Sequence, residues 1–111
     1  MKISEVTAIE GIDVRVKGDM EAEVTGCYVS DLLSDVLASS KDGELWVTRQ
    51  THPNVAAVAS VKALSGVIIT GDRAIDPETL SKAEAENITV MSTAASTFEM
   101  AGKVYELLKG K

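Results

Sequence analysis

The chain has 111 residues, 45% of them apolar, which is the size of one domain and far from a disordered composition. Its formal net charge of -6, with no cluster of Lys or Arg, excludes a nucleic-acid partner, because phosphate backbones are held by clustered basic side chains. No apolar run reaches the ~18 residues of a membrane helix, and the opening MKISEVTAIEG lacks the continuous apolar core of a signal peptide. A cytoplasmic protein with no membrane partner is expected.

The sequence reads as one domain over residues 1–111, with a less regular N-terminal part, 1–43, and a cleanly patterned remainder, 44–111. Residues 3–10 form a short helix or strand. Residues 13–17 alternate apolar and polar with a period of two, as a half-exposed strand does. Gly18-Asp19 is a turn, and residues 22–28 form a second strand in which Cys27 is a small buried side chain. Ser30 caps a helix over 31–39, where Leu32, Leu33, Val36 and Leu37 share a face. Lys41-Asp42-Gly43 is a turn.

From Glu44 onward strands and helices alternate. Residues 45–48, 66–70 and 88–91 are strands; 53–64, 77–86 and 97–108 are helices, with Asn87 a left-handed cap on the second. Short apolar strands alternating with helices of ~10 residues signal parallel pairing in a sheet covered on both faces. The expected fold is an α/β layered sandwich: a mostly parallel sheet of three βα units, plus one or two N-terminal strands.

The helix starts carry the polar residues. Pro53 suits a first helical position, which leaves His52 at the cap or just outside it. Asp76-Pro77-Glu78 repeats the pattern with a better cap, and Ser96 with Glu99 makes a capping box. In a parallel sheet these corners converge on one edge, at the carboxyl ends of the strands, where open α/β folds bind ligands. The corners are Thr48 to Asn54, Thr70 to Arg73 and Ser92 to Thr97. Candidate ligand-binding residues are Thr48, Arg49, Thr51, His52 and Asn54 from the first, Thr70, Gly71 and Asp72 from the second, and Thr93 and Thr97 from the third. An anion is expected on the amides of Asn54 and Val55, flanked by Arg49 and His52 and closed off by Thr70-Gly71 and Thr93. The same hydroxyls also serve as ordinary helix caps, and that reading stands beside the ligand one.

Other chemistry is excluded more firmly. There is no GxxxxGK[ST] phosphate loop and no GxGxxG after a strand. One histidine and one cysteine cannot assemble a metal cluster within one chain. No cofactor, metal ligand or catalytic residue is assigned, although His52 has the chemistry for acid–base work.

The segment from Tyr28 through Leu107 resembles the DRTGG domain, a module found inside some phosphotransacetylases and CBS-domain pyrophosphatases and akin in fold to the N-terminal domain of HPr kinase. The resemblance rests on Val29-Ser-Asp-Leu-Leu-Ser-Asp35, the strand–corner–helix over 45–61, Ile68-Ile-Thr-Gly71, Asp76-Pro-Glu78 and Thr97-Phe98. The family's first corner reads Gly-Asp-Arg where this chain has Gln50-Thr51-His52. Its second reads Thr-Gly-Gly where this chain has Thr70-Gly71-Asp72. The THPN variant looks like the stand-alone, single-domain members. The resemblance implies a non-catalytic module, regulatory or adhesive between subunits.

Three functions are open to the sequence: a regulatory or interaction module holding a small anionic, nucleotide-like ligand or a protein partner; a purely structural homodimerisation domain; and an enzyme or phosphocarrier using His52. The expectation leans away from an enzyme. From Val55 to Leu64 the only charge is Lys62. A helix apolar nearly all round is covered on both sides, so a C2 homodimer is expected.

Overall fold

The βα alternation becomes a five-stranded sheet in the order β1-β5-β4-β3-β2. The computed structural model describes residues 1–110. Its strands are β1 (Asp13–Val16), β2 (Gly26–Val29), β3 (Glu44–Thr48), β4 (Gly66–Ile69) and β5 (Val90–Ser92). Strands β2 to β5 are parallel, and β1 lies antiparallel against β5 at the far edge. The helices are α1 (Ile3–Val6), α2 (Leu33–Ser39), α3 (Asn54–Val61), α4 (Pro77–Ala85) and α5 (Thr97–Lys109). Both N-terminal strands join the sheet, and β2 with α2 makes a fourth βα unit beside the three expected. No helix among the described residues is long and apolar enough to cross a membrane.

Strand side chains alternate between two faces, and each face builds its own core. Trp46, Val67, Ile69 and Val90 meet Val36 of α2, Val55, Ala56 and Ala59 of α3, and Ala83 of α4. Leu45, Val47, Ile68 and Met91 meet Ile3 and Val6 of α1 and Met100 and Val104 of α5. A sheet covered on both faces explains why the central strands read as unbroken apolar runs.

The helix boundaries follow local hydrogen bonding. Asp76 accepts from the Glu78 amide at 2.9 Å with Pro77 opening α4, and Ser96 accepts from the Glu99 amide at 3.1 Å at the start of α5. The return half of the box differs from expectation: the Glu99 carboxylate accepts from the Ser96 hydroxyl at 3.1 Å. Both α3 and α4 end on a left-handed residue, Ala63 (φ 53°) and Asn87 (φ 58°). In each the next amide reaches back five residues in a Schellman turn, Leu64 to the Ala59 carbonyl and Ile88 to the Ala83 carbonyl, both at 2.9 Å.

Two expectations are corrected. Helix α2 starts at Leu33 rather than Asp31, because the Asp31 carboxylate is bound to the neighbouring corner and the Ser30 hydroxyl accepts from the Leu32 amide. Its four-residue apolar face is not all core: Val36 is buried and Leu33 half-buried, whereas Leu32 and Leu37 are exposed. The second strand is shorter than 22–28, because the chain before it binds the N-terminus, the Val24 amide donating to the Met1 carbonyl and the Ile3 amide to the Ala22 carbonyl.

Candidate functional site

The parallel strands place four strand-to-helix corners on one edge of the sheet, one more than the sequence showed. The extra corner, Ser30-Asp31-Leu32, follows β2. It contributes Asp31, whose carboxylate accepts from the Thr48 hydroxyl at 3.0 Å and from the Arg49 amide at 2.7 Å. The Gln50 side-chain amide donates to the Asp31 carbonyl at 3.2 Å. Asp31 therefore holds the first corner from the side. Its signal was an acidic residue directly after a short strand, hidden by reading it as the first turn of a helix.

The threonines of the edge are engaged internally. Thr48 is fully buried, and its oxygen also accepts from the Gln50 amide at 3.0 Å. The hydroxyls of Thr70 and Thr97 lie 2.7 Å apart. The Thr93 hydroxyl accepts from the Ala95 amide at 3.1 Å, and the Thr51 carbonyl accepts from the Thr79 hydroxyl at 2.7 Å. These groups lock the corners to one another.

The start of α3 differs from the open anion cradle expected there. The Asn54 amide donates to His52 Nδ1 at 3.0 Å, and the Val55 amide donates to the His52 carbonyl at 2.9 Å. His52 caps the helix from one residue before Pro53, so neither amide faces a ligand. The physical reason is reach: an imidazole two residues before an amide closes the same short ring that an Asx turn does.

Gly71 and Asp72 both sit in the left-handed region, at φ 82° and 55°. Their amides donate to the carbonyls of Ala95 and Thr93, each at 3.0 Å. This ties the second corner to the third. Arg49 lies across Gly71: a Cβ built there would stand 3.1 Å from Arg49 Nε. Arg49 therefore stays at the carboxyl edge.

What the edge leaves open carries three arginines, with three aspartates beside them. Asp31, Arg49, Gln50 and Arg73 line a shallow depression of about 180 Å³. A second, of about 200 Å³, is lined by residues that include Asp13, Arg15, Asp72, Arg73, Ser92 and Thr93. Arg73 separates the two. Arg15 arrives from β1, whose antiparallel register sets Asp13 opposite Ser92. Nothing local marked it in the sequence. All three arginines of the chain thus gather on this edge, and among the described residues none is in an ion pair.

This set of corners on a mostly parallel sheet matches a known family. The model of the DRTGG domain matches residues 15–107. The chain belongs to the DRTGG domain family. Among solved structures, it is similar to the CBS and DRTGG domains of the regulatory region of a Clostridium perfringens pyrophosphatase, complexed with the activator diadenosine tetraphosphate. That likeness has a TM-score of 0.69 at 16% identity and covers 90% of this chain. It spans 43% of the pyrophosphatase chain, and at that identity it speaks for the fold. No curated protein matches. The geometry of the second corner accounts for the family's Thr-Gly-Gly pattern: two successive left-handed residues favour glycine, and aspartate is among the few residues that replace it readily.

Elsewhere, burial pushes the Cys27 thiol up to about 11, aided by the nearby Glu44 carboxylate. The Tyr28 hydroxyl is raised by its 2.9 Å bond to Asp35.

Proposed function

We propose that this DRTGG domain is a single, non-catalytic regulatory module of the cytoplasm that binds a small phosphate-bearing ligand at the carboxyl edge of its sheet. The observation that carries this reading is the gathering of Arg15, Arg49 and Arg73 around two adjoining depressions with no ion-pair partner among the described residues. A guanidinium grips a phosphate through two parallel hydrogen bonds, and Arg73 between the depressions serves either side. The nucleotide activator complexed with the similar pyrophosphatase region supports the same ligand class. Thr48, Thr70, Thr93 and Thr97 hold the frame, and Arg49, Arg73 and Arg15 meet the ligand. Thr51, His52, Asn54, Gly71 and Asp72 shape the corner between them. A non-catalytic role is favoured because the corner hydroxyls and His52 Nδ1 are engaged in the fold itself.

The test is a thermal-shift series with inorganic phosphate, pyrophosphate, AMP, ATP and diadenosine tetraphosphate. A ligand that binds only the folded chain stabilises it by RT ln(1 + [L]/Kd). At least one should raise Tm, and Arg73→Gln should lose that rise while melting normally alone. No shift at millimolar ligand, or an unchanged shift in Arg73→Gln, would overturn the reading.

We also propose that the module is a homodimer through the outer face of α2 and α3. Leu33, Leu37, Ala57, Val58 and Val61 line an apolar cleft of about 260 Å³ there, with Asn54 its one polar member. In a chain of net charge -6, a face lined by no carboxylate is where a second copy meets least repulsion.

A further inference from the structure

Helix α5 carries a glycine that its own fold does not explain. Gly102 lies inside a 13-residue helix, where glycine is less favourable than alanine because the freer backbone loses more entropy on folding. Such a glycine is ordinarily kept where a Cβ would collide with a neighbour. Here a Cβ would meet no atom within 4 Å. Its surroundings are equally unusual for a finished surface. Phe98, one turn before it, is 88% exposed, and Tyr105, three residues after it, is 62% exposed.

Phe98 and Gly102 line a groove of about 850 Å³ between α5 and the α1 region. Its apolar lining comes from Ala8, Ile9, Phe98 and Leu107, and Gly102 forms part of its wall. Glu99 and Glu106 line it with Lys103 as the cation among the described residues. The groove is therefore apolar with an acidic margin, on the sheet face opposite α2 and α3.

We propose that this groove docks an amphipathic helix of another protein, apolar on one face and bordered by Lys or Arg. A helix fits the page better than a strand. The α5 wall has its interior amides and carbonyls bonded within the helix, so an added strand finds no backbone partner there. A glycine on the wall lets a second helix axis approach closely, and α5, at ~1.5 Å per residue, presents about 20 Å of wall. Charge selects the partner. A second copy of this chain would bring Glu99 and Glu106 against their equivalents, whereas a basic helix would neutralise them.

The test uses the whole chain and a fluorescein-labelled 18-residue helix of leucine and lysine, with its leucine–glutamate counterpart as control, followed by anisotropy. The leucine–lysine helix should bind, more weakly as salt rises, and the glutamate helix should not. Gly102→Leu and Phe98→Ser should each weaken binding at least tenfold, while Ala85→Ser, exposed on α4 across the sheet, leaves it unchanged. Melting curves show that the variants fold, and Gly102→Leu should melt no lower than the parent. Three results would overturn the proposal: no binding of the lysine helix, binding that Gly102→Leu leaves intact, or a self-association that Gly102→Leu abolishes. The last would make a second copy the occupant. None of these readings depends on the arginine edge.

Discussion

Three non-glycine residues, Ala63, Asp72 and Asn87, carry backbone angles that L-residues avoid. Left-handed geometry costs roughly 1–2 kcal/mol for an ordinary side chain and less for Asn or Asp, whose polar groups bond locally. Ala63 has no such relief, yet the Schellman bonds of α3 hold it there. Ala63→Gly should therefore stabilise the protein by about 1 kcal/mol, read as a higher urea midpoint at unchanged slope. Asp72→Gly should act in the same direction and more weakly, while Asp72→Val should cost about 1–2 kcal/mol. A fall in stability for Ala63→Gly would mean that unfolded-state entropy outweighs the strain. Cys27 gives a second residue-scale test. Its thiol is raised from an ordinary 9.0 to about 11, first by burial and then by Glu44. Because the folded value lies above the unfolded one, the stability it contributes is fully present below pH 9 and is lost as pH rises toward 11. Thiolate is also the reactive form, so alkylation at pH 7.5 should run on the order of 100-fold slower than for a free cysteine. A rate equal to that of free cysteine would show the thiol to be solvated.

At the scale of elements, the parts legible in the sequence were those governed by neighbours in the chain. Asp76-Pro77 and Ser96 mark their helices because a cap bonds an amide two or three residues away. Asn87 was legible for the same local reason. The parts that stayed hidden depend on partners far along the chain. Residues 22–24 look like strand but pair with the N-terminus, and Arg15 reaches the site only because β1 chooses β5 as its neighbour. Asp31 was misplaced because its partners, Thr48 and the Arg49 amide, come 17 and 18 residues later. Periodicity carries no information about such pairings. Two caps can be weighed against each other. Ser96→Ala should cost ~0.5–2 kcal/mol in chemical denaturation and leave the Tm rise with phosphate ligands unaltered. His52→Ala removes the 3.0 Å acceptor for the Asn54 amide at an exposed helix end, where water replaces it, so its cost should be smaller. A larger loss for His52→Ala would show that the ring also supports the first corner.

For the whole molecule, the distribution of charge assigns a different role to each surface. The carboxyl edge gathers the arginines, the α1–α5 groove is margined by glutamates, and the α2–α3 cleft is lined by no charge at all. The homodimer proposed for that last face rests on α3, whose Val61 is 75% exposed while Val55, Ala56 and Ala59 are fully buried beneath it. Leu32, at 63% exposure on the adjacent α2 cap, extends the apolar surface. A two-fold axis through this face would bury on each copy the side chains left outside the core, which is how an isologous interface completes a thin domain. Sedimentation velocity should then show a dimer at tens of micromolar. Val61→Asp would set two carboxylates near the axis, and like charges brought together in an interface cost several kcal/mol. The variant should therefore be monomeric at the same concentration, an affinity loss of about 100-fold or more. Because Val61 contributes little to the core of its own chain, Val61→Asp should keep the parent's circular-dichroism spectrum, which separates loss of assembly from loss of fold. A parent protein that sediments as a monomer at 100 μM, or a Val61→Asp dimer of undiminished affinity, would remove the face from the account.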